Sequence, residues 1–256
     1  MQAVKPGRVR YSILLMLFLV TTVTFADRSS LSIAGAALQA DLGIDAVMLG
    51  YIFSAFGWAY VIGQIPGGWL FDRFGAKRVY FITLLCWSLF TLLQGFVDML
   101  PLAWAIVSLF GLRLAVGFAG APCFPGNARI IAAWFPTRER ATATAMSTSA
   151  QYAATAVFAP LMGWVVQDMG WQYVFVVLGG LGLLLCGVWL KVMHGPREHP
   201  RLGEAEFAYI EAGGALIDLA PRPAGVAGSQ WRYLKLLLTQ RTLVGLYLGQ
   251  YCNNAI

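Results

Sequence analysis

FADRSSLSIA, residues 25–34, lies inside an apolar run that extends from Tyr11 to Leu38. A run of this length predicts a membrane helix, because about 20 apolar residues cross the hydrocarbon core of a bilayer. Each charge at the centre of such a helix costs about 2.5 to 3.5 kcal/mol, so Asp27 and Arg28 indicate a helix that faces a cavity or partner helices. We expect a substrate or proton site at these two residues. The alternative is a mutual ion pair that fixes helix packing.

The composition indicates a polytopic membrane protein. Apolar residues make up 59% of the chain and charged residues 12%, and the mean hydropathy is +0.67. The net charge of +6 raises nucleic acid as a partner, but the basic residues gather in particular loops, as membrane topology requires, so we expect no nucleic acid. The cysteines lie in apolar runs without metal-ligand spacing or a disulfide framework, and we expect no metal and no cofactor.

Six apolar runs predict an all-α membrane protein with six transmembrane helices and the start of a seventh. The fourth run is too long for one straight helix and contains Pro122 and Pro125, which favour a bend. The predicted helices are 11–36, 47–71, 79–97, 102–134, 141–166 and 171–192. The expected domains are a cytoplasmic N-terminal tail (1–10), a six-helix bundle (11–192), a cytoplasmic central loop (193–241) and an incomplete seventh helix (242–256).

The basic residues predict the orientation of the helices. All but three of the 18 Lys and Arg residues lie at or beside the N-terminal tail, the 2–3 and 4–5 connections and the central loop, and the connections on the other side have none. Cytoplasmic loops carry such an excess, so we expect the N-terminus in the cytoplasm. The three remaining cations are Arg28, Arg113 and Arg129, and all lie within predicted helices.

Six helices followed by a long basic loop and a new helix predict half of a symmetric transporter. Transporters often consist of two six-helix halves, each of which is an inverted three-plus-three repeat. We expect this chain to be the N-terminal half with the central loop. Three explanations stay open: a fragment of a longer protein, a truncated gene product, or a half that must pair with another chain.

A stretch rich in glycine and charge follows the second predicted helix: Gly68-Trp69-Leu70-Phe71-Asp72-Arg73-Phe74-Gly75-Ala76-Lys77-Arg78. It resembles the 2–3 loop motif of the major facilitator superfamily, which implies a role in gating. Gly68 permits close helix contact, Asp72 can face a helix N-terminus or an arginine across the bundle, and the cations face the cytoplasm and its anionic lipids. The alternative is a basic turn that only obeys the topology rule. The candidate gating residues are Gly68, Asp72, Arg73, Gly75, Lys77 and Arg78.

Arg113 lies near the middle of the fourth predicted helix. A buried guanidinium offers planar, bidentate capture of a carboxylate, although Arg113 could instead neutralise Asp27. Gly117 and Ala121 form a small-residue face for tight packing against another helix.

Several stretches of the chain resemble one family when they are taken together. They are Ala26-Asp27-Arg28 with residues 31–34 (LSIA), 53–60 (FSAFGWAY), 64–69 (QIPGGW), 111–127, 133–136 (AWFP), Glu139-Arg140, and 206–210 (EFAYI) with Gly213-Gly214. The resemblance is to the anion:cation symporters of the major facilitator superfamily, and within them to the bacterial sugar-acid branch of proton-coupled galactonate, glucarate and hexuronate transporters. It covers about residues 8–252.

The resemblance implies roles for individual residues. Asp27 resembles the carboxylate that takes part in proton coupling, and Arg113 matches an arginine linked to the same network. Arg28 resembles the cation that binds the substrate carboxylate. Tyr60 and Gln151 match positions that bind sugar hydroxyls, although Tyr60 could be an ordinary packing aromatic and Gln151 could link two helices.

One position departs from the family pattern. The family usually has a second titrating carboxylate, a Glu one turn before the proline pair, and Gly120 stands there in this chain. Coupling would then be lost, altered or carried by another part of the protein. Gly120→Glu is therefore expected to raise pH-driven uptake.

The sequence predicts a secondary transporter that works by alternating access. We expect proton-coupled uptake of a small anionic sugar acid across a bacterial cytoplasmic (inner) membrane, with protons, the substrate and the lipid bilayer as partners. A non-transporting half, or one that needs a second chain, is the alternative. A six-helix membrane enzyme or receptor would need a His/Glu or metal-ligand cluster, and the sequence offers none, so we expect no catalytic residues.

Overall fold

The computed structural model describes residues 7–217 and 239–255. The regular structure in these ranges is helical, which confirms the predicted all-α class. A 3₁₀ turn, Val97–Met99, connects the third and fourth helices. The α-helices are α1 (Val9–Leu42), α2 (Ala46–Phe74), α3 (Ala76–Gln94), α4 (Leu102–Gly120), α5 (Cys123–Trp134), α6 (Arg140–Asp168), α7 (Trp171–Val192), α8 (Glu204–Ala212) and α9 (Arg241–Ala255).

The chain divides into two compact units. Met1–Pro221 contains α1 to α8, and Arg222–Ile256 contains α9. Helix α9 starts one residue before the predicted seventh helix. The region predicted as a loop after residue 192 includes α8, a helix of 9 residues. Its surroundings explain this difference, because α8 packs against the start of α1.

Several long apolar helices make this a multi-pass membrane protein. Among the described helices, α1, α2, α3, α7 and the joint stretch Leu102–Trp134 are long and apolar enough to span a bilayer. Helix α6 is the exception among the six predicted spans. It has 29 residues, which is ample length, but its first half, ATATAMSTSAQYAATA, is rich in Ala, Thr and Ser. Its membrane assignment therefore rests on length and position.

Helix α1 is longer than the sequence predicted. It has 34 residues, or about 51 Å at 1.5 Å per residue, which exceeds the roughly 30 Å hydrocarbon core. It continues past residue 36 and stops at Gly43, whose left-handed conformation (φ 59°) ends the helix. Asp45 then caps α2 by accepting a hydrogen bond from the Met48 amide at 2.8 Å.

The connection between α2 and α3 is tighter than predicted. Helix α2 continues through Asp72 and Arg73 to Phe74, and α3 begins at Ala76. Gly75 alone makes the turn, with φ 79° and ψ 157°, a conformation that is essentially restricted to glycine. The charges predicted in a turn therefore lie in the last turn of α2 and the first turn of α3.

The fourth span departs from a straight helix at the prolines, as predicted, and the departure is a break between two helices. Helix α4 ends at Gly120 and α5 begins at Cys123, with Ala121 and Pro122 between them. Pro122 has no amide proton to donate into the helix, so the hydrogen-bond ladder breaks there.

The packing of the helices follows the expected inverted repeat. Helix α1 packs chiefly on α6, α2 on α4, and α3 on α7. A three-plus-three repeat pairs α1 with α4/α5, α2 with α6 and α3 with α7. If each helix is replaced by its repeat partner, the α1–α6 contact becomes the α4–α2 contact. The α3–α7 contact stays the same, because these two helices are each other's partners. The observed pairs therefore have the internal symmetry that the repeat requires.

Small residues bring α2 close to α4 and α5. Gly68, the glycine predicted to permit close helix contact, is not one of them. A Cβ at Gly63 would lie 2.9 Å from the Cβ of Ala121, and one at Gly67 would lie 2.9 Å from the Cγ of Pro122. Gly117 likewise faces Ala59. No atom lies within 4 Å of a Cβ built on Gly68, because neighbouring helical residues point about 100° apart. Gly68 therefore makes no close helix contact within the described residues.

Candidate functional site

Asp27 and Arg28 point to different neighbours and do not form an ion pair with each other. Asp27 is fully buried and receives a hydrogen bond from α3. Arg28 instead lies among aromatic rings of α1, α2 and α5. The alternative of a mutual structural ion pair is therefore wrong.

The Asp27 carboxylate lies in a buried site between helices. Its Oδ2 atom accepts a hydrogen bond from the indole N–H of Trp87 at 3.1 Å, and its Oδ1 atom has no hydrogen-bond partner. The Ser30 hydroxyl donates to the backbone carbonyl oxygen of Asp27 at 2.6 Å. A carboxylate that is buried with one unsatisfied oxygen is costly to keep charged, and it can take a proton or a further donor at that oxygen.

Arg113 belongs to the Asp27 side of the site. Its side chain is 2% exposed, its Nη2 atom lies 3.4 Å from the hydroxyl oxygen of Ser30, and its guanidinium lies 5.3 Å from the ring centre of Phe175. Arg113 and Asp27 both contact Ser30 and form no direct ion pair. Its Nε atom has no hydrogen-bond partner, so Arg113 keeps capacity to bind an anion.

Arg28 lies in an aromatic cage. Its guanidinium carbon is 4.3 Å from the ring centre of Tyr60, 5.0 Å from Phe25, 5.3 Å from Phe56 and 5.7 Å from Phe124. The rings of Phe56 and Tyr60 stack on each other at 5.7 Å. Aromatic faces attract a guanidinium without using its N–H groups, and Nε of Arg28 has no hydrogen-bond partner. The structure therefore brings the predicted pair Arg28 and Tyr60 together.

Gln151 lines a cavity that borders the aromatic cage of Arg28. The cavity measures about 110 Å³ and is lined by Phe25, Phe124 and Gln151 among others. The two phenylalanine rings, which meet edge to face at 5.8 Å, also contact Arg28. In the described part of the chain, the Gln151 side chain makes no hydrogen bond to another helix, so a role as an interhelical link is not supported.

Five residues of the site were not predicted from the sequence. Trp87 and Ser30 contact Asp27 or Arg113, and Phe25, Phe56 and Phe124 complete the cage around Arg28. Trp87, Phe56 and Phe124 lie on other helices than Asp27, and one sequence gives no signal for such a contact. The nearer two lie three positions from Arg28 or Asp27 on the same helix, a spacing that places side chains on one face.

Of the two contacts considered for Asp72 among the candidate gating residues, the structure shows the one with an arginine. Asp72 accepts a hydrogen bond from Arg129 of α5 at 2.6 Å, which also explains the third intramembrane cation. Arg73 packs over the rings of Trp69 and Phe74 instead.

A larger cavity, of about 790 Å³, lies at the Lys77 and Arg78 end of the bundle. It is lined by residues of the 2–3 connection, of α3, α5 and α7, and by residues 193–198. It contains none of the predicted substrate residues Arg28, Tyr60 and Gln151.

Gly120 has open space where a side chain would begin. It is buried at the end of α4, and no atom lies within 4 Å of the position that a Cβ would occupy. A longer side chain can therefore enter without meeting a neighbour at its first carbon.

The family model of the Major Facilitator Superfamily matches residues 17–256. The chain belongs to this superfamily. A probable galactarate/D-glucarate transporter of Escherichia coli, GudP, is 53% identical over 255 residues, which cover 98% of this chain and 57% of that protein. A D-galactonate transporter of Escherichia coli is 40% identical over 256 residues, 97% of this chain and 57% of that protein. The resemblance to sugar-acid transporters is thus confirmed, and the chain spans about half the length of these curated relatives.

Solved transporters share the fold. The proton:xylose symporter XylE bound to 6-bromo-6-deoxy-D-glucose aligns with a TM-score of 0.66 at 17% identity, over 80% of this chain and 49% of that chain. A bacterial homolog of the human lysosomal transporter Spinster aligns with a TM-score of 0.64 at 21% identity, over 77% of this chain and 45% of that chain. At these identities the likeness shows the fold alone.

Proposed function

We propose that this chain forms the N-terminal part of a secondary transporter for anionic sugar acids. The related proteins are named as galactarate/D-glucarate and D-galactonate transporters, and a transporter of this class carries its substrate by alternating access. The protein lies in the bacterial cytoplasmic membrane with its N-terminus in the cytoplasm, as the distribution of basic residues indicates.

The observation that carries this proposal is the environment of Arg28. The guanidinium is held among four aromatic rings, separate from the neighbouring carboxylate of Asp27. The cage fixes the charge inside the bundle while Nε lacks a protein partner. Arg28 is partly buried and has no carboxylate partner, and such an arginine within a membrane helix is a binding site for an anion, because an unpaired charge in an apolar helix is costly. The substrate carboxylate supplies the partner, and Tyr60 and Gln151 contact the hydroxylated chain.

Asp27 provides the proton site in this proposal. Its unsatisfied Oδ1 atom lies in a site shared with Arg113 through Ser30, on the same helix as the substrate arginine. Protonation removes the negative charge beside Arg113, and substrate binding neutralises Arg28. Both events therefore change the charge carried by α1, and we propose that α1 couples them during the rocking motion between the two halves.

In this proposal, the walls of the substrate site that these helices do not supply come from another six-helix half. That half lies either in the same polypeptide or in a pairing chain. Intact mass of the native protein from its own membranes separates these possibilities. A mass near twice 27.9 kDa supports a single polypeptide. A mass of 27.9 kDa requires pairing, which co-purification of tagged and untagged copies would test.

The decisive experiment is uptake of radiolabelled glucarate, galactarate and galactonate by vesicles that contain the protein, with and without an inward proton gradient. Arg28→Gln is expected to abolish uptake of all three acids. Lys191→Gln, an exposed cation at the end of α7, is the matched control and is expected to keep uptake. Full uptake by Arg28→Gln would show that the anion site lies elsewhere. Uptake that ignores the proton gradient would refute coupling but not transport.

A further inference from the structure

The cavity of about 110 Å³ beside Gln151 has the chemistry of a neutral, hydroxyl-binding site. Every side chain that lines it is uncharged, and its walls come from α1, α5 and α6. At roughly 30 Å³ per water molecule, it has room for a part of a sugar acid rather than for the whole molecule. The lining residues are Thr21, Phe25, Phe124, Asn127, Ala128, Ile131, Thr144, Ser147, Thr148 and Gln151.

A chain of hydrogen bonds orients one hydroxyl at this cavity. The Tyr80 hydroxyl donates to Oδ1 of Asn127 at 2.7 Å, and Nδ2 of Asn127 donates to Oγ1 of Thr21 at 3.0 Å. Thr21 is thus an acceptor within the protein, and its own proton is left to donate. The hydroxyls of Thr22 and Thr24 are used differently, since they donate to the backbone carbonyls of their own helix at 2.8 Å.

The position of Thr21 relates this cavity to the anion site. Thr21 and Arg28 are seven residues apart, so they lie on one face of α1, separated by about 10 Å along the axis. Phe25 lies between them on that face and contacts both sites. Helix α6 lines the opposite wall with Thr144, Ser147, Thr148 and Gln151, a spacing that also defines one helical face.

We propose that this cavity is a hydroxyl-binding subsite for the sugar chain of the substrate, in which Thr21 is a donor and Asn127 and Tyr80 are positioning residues. The proposal rests on the proposed function, because it assigns the carboxylate of the same substrate to Arg28. Phe25 and Phe124 form the common wall, so a ligand reaches both the cation and the hydroxyls by passing along these rings. Tyr80 acts only through Asn127, since it does not line the cavity.

The test compares each sugar acid with the acid of the same carbon chain that has no hydroxyls: hexanedioate for glucarate and galactarate, and hexanoate for galactonate. Dissociation constants are measured by calorimetry on the purified protein. Thr21→Val is expected to raise the Kd of the hydroxylated acid about three- to tenfold, the value of one hydrogen bond, and to leave the Kd of the deoxy acid unchanged. Tyr80→Phe is expected to act in the same direction.

Thr22→Val is the matched control, because it removes a hydroxyl next in the sequence that only bonds the backbone. Equal Kd values for Thr21→Val and Thr22→Val would overturn the subsite and leave the proposed function intact. An equal loss for the hydroxylated and deoxy acids in Thr21→Val would also overturn it, since that indicates a distorted site. Arg28→Gln separates the two proposals: unchanged binding of either acid by this variant would overturn the assignment of the anion site to Arg28, on which the proposed function rests.

Discussion

Glu206 of α8 binds Arg10 in the first turn of α1. Its Oε1 atom accepts hydrogen bonds from the Arg10 guanidinium at 3.3 Å and from the Arg10 amide at 3.2 Å, and its Oε2 atom accepts from the Val9 amide at 3.1 Å. Arg10 is 4% exposed and Glu206 is 1% exposed. The residue that precedes α1, Arg8, provides no side-chain cap. A carboxylate from the region after α7 therefore satisfies the free amides at the start of α1 and complements its dipole.

We predict that Glu206→Ala destabilises the protein. The change leaves Arg10 buried with only Glu139 as a charged partner, at 3.1 Å, and breaking a buried ion pair costs about 3 to 5 kcal/mol. Thermal unfolding in detergent should show a clearly lower Tm. Glu204→Ala removes an exposed carboxylate from the same helix and should leave the Tm unchanged. Similar Tm values for the two variants would contradict the bridging role of Glu206.

The Glu206 contact also shows what one sequence can and cannot predict. The spans and the break at Pro122 follow from local rules on hydropathy and proline. The contact between Arg10 and Glu206 joins residues 196 positions apart, and no local pattern encodes it. For this reason α8 was missed within a region that is polar and rich in glycine and proline.

The candidate site shows the same division. Asp27, Arg28 and Arg113 were identified because charge within an apolar helix has few structural explanations. The side to which each one points could not be predicted, since it depends on which helices pack at that level. The aromatic cage of Arg28 results from this packing. Phe and Tyr are abundant along the chain, so the sequence does not show which of them contact the cation.

The pair Asp72 and Arg129 is predicted to act on the transport rate rather than on stability. The Asp72 side chain is 61% exposed and that of Arg129 is 24% exposed, and such pairs contribute at most about 1 kcal/mol. Asp72→Asn should therefore lower the uptake rate several-fold with little change in Tm. The exchange Asp72→Arg with Arg129→Asp should restore part of the rate, whereas Asp168→Asn, at an exposed position of α6, should have no effect. Normal uptake by Asp72→Asn would favour a basic turn that serves topology alone.

His199, which follows α7, is predicted to make stability depend on pH. Burial lowers the pKa of His199 below its usual value, and the neighbouring charges of His194 and Arg201 lower it further. The neutral ring also accepts a hydrogen bond from the Arg201 amide at 3.2 Å. The unfolded chain then binds the proton more tightly, so this contribution is present above the usual histidine pKa and is lost as the pH falls through the lower folded value.

The Tm should accordingly fall between pH 7.5 and pH 5, and His199→Gln should reduce this fall. His194→Gln should keep most of it, because burial rather than the neighbouring histidine is the main cause of the lowered pKa. An unchanged pH profile in His199→Gln would assign the effect to other groups.

Tyr60 is predicted to contribute its hydroxyl to substrate binding and its ring to the position of Arg28. Tyr60→Phe keeps the aromatic face against the guanidinium and removes one hydrogen-bonding group, so the Kd for the sugar acid should rise about three- to tenfold with no change in Tm. Tyr51→Phe removes an exposed hydroxyl from the same helix and is expected to bind normally. If Tyr60→Phe also binds normally, Tyr60 is a packing aromatic.

Gly120→Glu is predicted to increase the pH dependence of uptake. The space around a Cβ at this position admits the first carbon of a side chain, and a carboxylate at the end of α4 adds a second acid to the helices that hold the buried Asp27. Uptake driven by an inward proton gradient should rise more steeply with decreasing external pH than in the unmodified protein. Gly120→Gln has the same size and cannot titrate, so it separates the effect of charge from that of volume. If Gly120→Glu and Gly120→Gln show the same pH profile, a carboxylate at this position does not take part in coupling.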